Sequence, residues 1–139
     1  MSRAVFVDTS AWYALADGGD SHHVEAERLA RPLLGERIRL VTTNHIVAET
    51  YTLLRVRLGF AAALDFLGRV QSSLTVERVH VPEGWEQAAE EMLTGYADQD
   101  FSYVEAISFI SMRRLGLTWA FAFDRHFAIA GFRLVRDER

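Results

Sequence analysis

Two short, wholly apolar runs that each stop at an aspartate constrain this chain most. Ala4-Val5-Phe6-Val7 ends at Asp8, and Trp119-Ala120-Phe121-Ala122-Phe123 ends at Asp124. Apolar runs of this length without polar alternation describe strands buried on both faces. Segments of helical length and pattern separate such runs. Residues 9–16 read as a helix stopped by Asp17-Gly18-Gly19-Asp20, and residues 21–34 as a second helix with Ser21 as its N-cap. Residues 39–43 form strand two, Asn44 caps a helix to about Leu58, and after Gly59 residues 60–70 form the next helix. Residues 74–81 alternate as strand three, and Pro82 opens a helix over 83–96. Residues 102–115 are helical up to Gly116, and a short helix at 125–130 precedes a last strand at 132–135. Strands alternating with helices predict an α/β fold: an α/β/α sandwich around a central parallel sheet of about five strands. No Gly/Ser-rich linker and no repeat divides the chain, so residues 1–139 read as one domain.

Composition removes several chemistries. There is no cysteine, which excludes disulfides, thiolate zinc sites and cysteine nucleophiles. All 15 basic residues are arginine, so Schiff-base chemistry and the lysine of P-loop nucleotide sites are absent. With 19 acids the net charge is −4, the wrong sign for holding nucleic acid by bulk charge. Binding to nucleic acid would need a local arginine patch or a metal. The apolar stretches are too short to span a membrane, and the first strand follows Met1 almost at once, so no membrane segment, no signal peptide and a cytoplasmic location are expected. The chain lacks the G-x-S-x-G, G-x-G-x-x-G and H-E-x-x-H patterns. Dehalogenase-type phosphatases need a second aspartate two residues after the first, where this chain has Ser10. The adjacent His22-His23 reads as surface, because neighbouring helix residues point in different directions.

In a parallel sheet covered on both faces, ligands bind outside the carboxyl ends of the strands. Asp8 and Asp124 stand there, Glu49 follows strand two by about a turn of helix, and Glu105 opens the helix that starts after Ser102. Four carboxylates at one rim repel one another, and a divalent cation such as magnesium or manganese relieves that repulsion with oxygen ligands. The chemistry expected of such a group is metal-assisted phosphodiester hydrolysis. Each acid also has a local reading. Asp8 and Asp124 suit helix N-caps, and Ser102 with Glu105 fits the S-x-x-E capping box. The repetition of an apolar run closed by aspartate favours a shared site. Without the four acids, the remaining acids balance the 15 arginines.

The opening V-D-T-S, N-H-I-V-A-E-T, D-Q-D-F-S-Y-V-E-A-I-S-F and F-A-F-D-R-H-F-A-I-A-G-F together resemble PIN-domain ribonucleases, above all the toxin halves of VapBC toxin–antitoxin pairs. The likeness runs from Val5 to Leu134. It implies a PIN-like parallel five-stranded sheet between helices and a magnesium- or manganese-dependent endoribonuclease. Its acidic quartet falls on Asp8, Glu49, Glu105 and Asp124, with Asp8, Glu105 and Asp124 as metal ligands. The family usually has aspartate where this chain has Glu105. Asp98 just upstream is a second-shell or extra ligand candidate, and Asp100 reads as a loop residue.

Glu49 would orient or deprotonate the attacking water. The Thr9 and Ser10 hydroxyls are candidates for holding metal-bound water or a phosphate oxygen, and Arg125 for meeting an RNA phosphate. Arg113 and Arg114 suit the negative pole of their helix. The resemblance further implies an RNA substrate, a small antitoxin partner and a homodimer. Tyr51, Leu54, Phe60, Leu64 and Phe66 suit either a partner surface or the core. Two other readings compete: a catalytically weak PIN-like RNA-binding or scaffold module, which only the change at Glu105 favours, and a DNA or flap nuclease, whose extra helical arch this short chain lacks.

Overall fold

The computed structural model describes residues 4–136. Each residue of β1 (Ala4–Val7) is buried, and the strand lies in the middle of a five-stranded sheet. The others are β2 (Arg39–Thr43), β3 (Val76–Val79), β4 (Trp119–Phe121) and β5 (Arg133–Leu134). Their order is β3-β2-β1-β4-β5, and every neighbouring pair is parallel. Connecting them are α1 (Thr9–Ala16), α2 (His23–Gly35), α3 (Asn44–Arg57), α4 (Phe60–Ser72), α5 (Glu83–Gly95), α6 (Tyr103–Leu115) and α7 (His126–Ile129).

Successive strand residues point to opposite faces, which sorts the core into two layers. Phe6, Val41 and Ala120 pack with Ile46, Phe109, Met112 and Phe127 from α3, α6 and α7. Val5, Val7, Leu40 and Phe121 pack with Ala11, Ala14, Ala26, Leu29 and Leu33 from α1 and α2. The result is the expected α/β/α sandwich. A third cluster, around Tyr13, Leu54 and Phe66, seats α4 against α1 and α3. Leu54 and Phe66 are therefore core and Tyr51 packs beside them, whereas Phe60 and Leu64 remain exposed. Among the described residues no helix is long and apolar enough to cross a membrane.

The strand order reverses between β1 and β4, and at such a switch point the helices leave a crevice at the carboxyl ends of the strands. The register pairs Phe6 with Ala120 and Val7 with Phe121. Asp8 N–H then donates to the Phe121 carbonyl at 3.0 Å, which sets the ends of the two strands side by side.

Local expectations differ from the fold at four points. Helix α2 begins at His23, with His22 rather than Ser21 at its cap and no side-chain cap bond. The Thr43 hydroxyl, not Asn44, caps α3, accepting from Ile46 N–H at 3.2 Å. Asn44 is free to reach across the sheet, where its Oδ1 accepts from Val81 N–H at 2.9 Å and pins the β3–α5 connection. Strand β3 is shorter than its alternating pattern, because Leu74 lies outside the ladder in full solvent. Strand β4 stops at Phe121, since Phe123 N–H is taken by the Ser10 hydroxyl.

Phe109 is fully buried and meets Phe101, Phe127 and Phe132 at ring-centroid distances of 5.1, 4.9 and 5.9 Å. Phe109→Ala should cost about 3–5 kcal/mol, a large part of the stability of a small domain. Urea unfolding checks this, and a loss under about 1 kcal/mol would show that the aromatic cluster collapses around the gap.

Candidate active site

The crevice is built outward from Asp8. It follows a buried strand and caps α1, accepting through Oδ2 from Ser10 N–H at 3.1 Å and from the Ser10 hydroxyl at 2.6 Å. The same hydroxyl accepts from Phe123 N–H at 2.9 Å. Ser10 thus spends its hydroxyl inside the protein, tying Asp8 to the residue before Asp124. Its position between two strand ends makes it a brace. Thr9 differs: its Oγ1 is buried and has no protein partner.

Across the crevice stand Glu105, Asp124 and His126, whose candidate ligand atoms all lie within 4.8 Å of one another. Glu105 does close the capping box of α6. Its Oε1 accepts from Ser102 N–H at 2.9 Å while Ser102 Oγ accepts from Glu105 N–H at 3.0 Å. His126 Nδ1 lies 3.0 Å from each Glu105 oxygen and 3.3 Å from Asp124 Oδ1. Asp124 Oδ1 also accepts from His126 N–H at 2.8 Å, a turn that folds the imidazole back over its own carboxylate. The capping role of Glu105 therefore leaves its carboxylate within the grouped side chains. The box and the imidazole absorb the longer glutamate arm, and Oε2 stays at the cluster.

His126 is the residue that spacing arguments overlook. It has no helical H-E-x-x-H partner, and its signal is the D-R-H triplet, in which an aspartate that caps a turn directs the side chain two positions on. Glu49 is half-buried on α3, close enough to Asp8 for its charge to raise that carboxyl's pKa. Asp8 and Glu49 lie outside the grouped ligand atoms, as do Asp98 and Asp100, which remain exposed in the α5–α6 connection. Arg125 is exposed beside Asp124. Arg113 donates to the Ala130 carbonyl at 3.2 Å and lies over the Phe132 ring, so it ties α6 to the end of α7.

Burial gives the site its electrostatic character. It pushes the Asp8 carboxyl from 3.8 up to about 6, against the hydrogen bonds from Ser10 and with help from Glu49. Burial and the adjoining Asp124 carboxyl push Glu105 from 4.5 up to about 7. Such carboxyls fit a hard divalent cation with oxygen ligands. Both groups hold protons more tightly in the folded than in the unfolded chain. Stability of the cation-free protein therefore falls as pH rises through the window bounded by the shifts from 3.8 to about 6 and from 4.5 to about 7, and levels off above it. Asp8→Asn keeps the cap and removes this linkage. With chelator present it should melt above wild type at about pH 8, by on the order of 2 kcal/mol, and lose that advantage near pH 4. Equal melting curves at the higher pH would show that the Asp8 charge costs the fold nothing.

Comparison with known proteins agrees with this geometry. The chain matches the PIN domain family over residues 5–133. It is 40% identical over 136 residues to the 23S rRNA-specific endonuclease VapC20 of Mycobacterium tuberculosis strains CDC 1551 and H37Rv, covering 96% of this chain and 99% of the relative. The crystal structure of Mycobacterium tuberculosis VapC20, described as a sarcin-ricin loop cleaving toxin, matches with a TM-score of 0.85 at 38% identity, over 92% of this chain and 95% of that one. The sheet order, the crevice and these likenesses lead to one conclusion: the chain belongs to the PIN domain family and is similar along nearly its whole length to a VapC toxin.

Proposed function

We propose that this protein is a divalent-cation-dependent endoribonuclease, the toxin half of a toxin–antitoxin pair, and that it hydrolyses a phosphodiester bond of ribosomal RNA. The observation that carries the reading is the grouping of Glu105, Asp124 and His126 within 4.8 Å of one another, on the strand end that lies beside Asp8. The 40% identity to an enzyme named for cutting 23S rRNA supports ribosomal RNA as the substrate class.

Asp8, Glu105 and Asp124 would hold the ion, magnesium or manganese, both of which suit carboxylate oxygens. Bound there, it supplies positive charge for the phosphodiester oxygens and makes an attacking water more acidic. Glu49 would take a proton from an attacking water. His126 donates through Nδ1 to Glu105 and keeps its carboxylate turned toward Asp124, the orienting task of an outer partner. The Thr9 hydroxyl has its hydrogen-bonding capacity left for a water or a phosphate oxygen. Arg125, next to Asp124 in the chain, meets the RNA backbone.

A small antitoxin and a second copy of the chain are the partners this reading implies, in the cytoplasm where ribosomal RNA is found. Val56, Leu58, Phe60 and Leu64 expose apolar surface at the α3–α4 turn for contacts of this kind.

Purified protein should cut ribosomal RNA with magnesium or manganese and stop when a chelator is added. Cleavage undiminished in excess chelator would sink the cation's role. Glu105→Gln gives a sharper test. Glutamine keeps the capping box and removes a charge that burial disfavours, so the cation-free variant should fold and be at least as stable as wild type at about pH 8. Its activity should fall by more than the roughly 10- to 100-fold that loss of an outer partner costs. A Gln variant as active as wild type would remove Glu105 from the site.

A further inference from the structure

We propose that a cavity beside the carboxylate cluster is a subsite for one unpaired nucleotide of the RNA, its base stacked on His22 and its phosphate held by Arg125 and Arg136. This rests on the endoribonuclease reading above. The cavity measures about 220 Å³ and is lined by His22, Glu25, Phe123, Arg125 and Arg136, among others. It adjoins the crevice through the chain itself, since Phe123 precedes Asp124 and Arg125 follows it.

The aromatic wall is already in place. The His22 and Phe123 rings stack with centroids 4.5 Å apart and planes inclined by 11°. Phe123 is held from behind by Phe121, edge-on at 6.0 Å, and by its N–H bond to the Ser10 hydroxyl. The backbone carrying His22 is fixed as well. Asp20 Oδ2 accepts from His22 N–H at 3.0 Å, and His23 Nδ1 sits 2.7 Å from the Ala14 carbonyl. His22 itself is exposed, with no side-chain bond at the α2 cap, so the ring face away from Phe123 is open to a ligand.

The chemistry of the walls selects the ligand. A flat ring beside two guanidinium groups is the surface on which unpaired RNA bases stack and phosphates dock. The volume lies below the roughly 300–1,000 Å³ of drug-sized ligand pockets, too small for more than one nucleotide. In a chain of net charge −4 without lysine, these two arginines supply local positive charge beside four acids. Glu25 offers an acceptor to a base N–H. A base inside a duplex is stacked on both faces and has none to give His22, so the subsite favours loops and bulges over helices.

Two measurements on the full chain test this. Its five histidines give few imidazole proton signals, and His22→Gln identifies that of His22. Nucleoside 5′-monophosphates should shift this signal more than ribose 5-phosphate or inorganic phosphate does. In manganese-supported cleavage of ribosomal RNA, His22→Ala and Arg136→Ala should each raise KM about tenfold with kcat little changed. Manganese should raise the Tm of both variants and of wild type by the same amount, because neither residue is a cation ligand. A His22 signal that responds as strongly to inorganic phosphate as to nucleotides would overturn the subsite, as would an unchanged KM in His22→Ala. If wild type cuts no RNA at all, the nuclease reading fails, and the response of the His22 signal still decides the subsite.

Discussion

The pairing of β1 with β4 positions everything at the candidate site. These strands are far apart in the chain, yet the Asp8 N–H···O=C Phe121 bond locks their carboxyl ends together. Ser10 then joins Asp8 to Phe123, the residue before Asp124. The force behind the pairing is burial of apolar surface on both sides of the sheet. Phe6 and Phe121 are almost wholly removed from water, on opposite layers. Hydrophobic packing of the strands thus sets the separation of the acids.

That packing also keeps the acids where they are costly. A buried carboxylate surrounded by other carboxylates resists ionisation, and burial is the leading cause of the raised pKa at both Asp8 and Glu105. Lysine is absent, and the arginine nearest in sequence, Arg125, is exposed and lines the neighbouring cavity. The fold therefore holds a concentrated negative charge that is best satisfied from outside, the arrangement expected of a site tuned for a cation. Glu105 shows how this coexists with ordinary helix chemistry. One oxygen serves the α6 capping box, the imidazole of His126 bridges both, and the carboxylate still reaches the cluster.

Much of this was legible in the sequence, for local reasons. Apolar runs without alternation announced buried parallel strands, glycines and caps bounded the helices, and the aspartates closing β1 and the 119–123 run lay where doubly wound sheets bind ligands. Errors arose where a local rule had two acceptable solutions. Thr43 and Asn44 are both good caps, and the choice went to Thr43 because Asn44 had a partner across the sheet in Val81. Residues 122 and 123 are as apolar as the strand before them, but the Ser10 hydroxyl takes the N–H that would have extended the ladder.

The sequence by itself determined the element types, the parallel sheet and three acids at strand or helix ends, because periodicity and capping act within a few residues. Tertiary structure alone decided which side chains meet. Ser10 became a brace because Phe123, 113 residues away, arrives at its hydroxyl. His126 joined Glu105 only because α6 and α7 flank the same strand end, and His22 found Phe123 only once α1 and α2 had folded beside β4. Such contacts depend on strand order. Strand order follows from how all the apolar faces are buried at once, which no window of sequence contains.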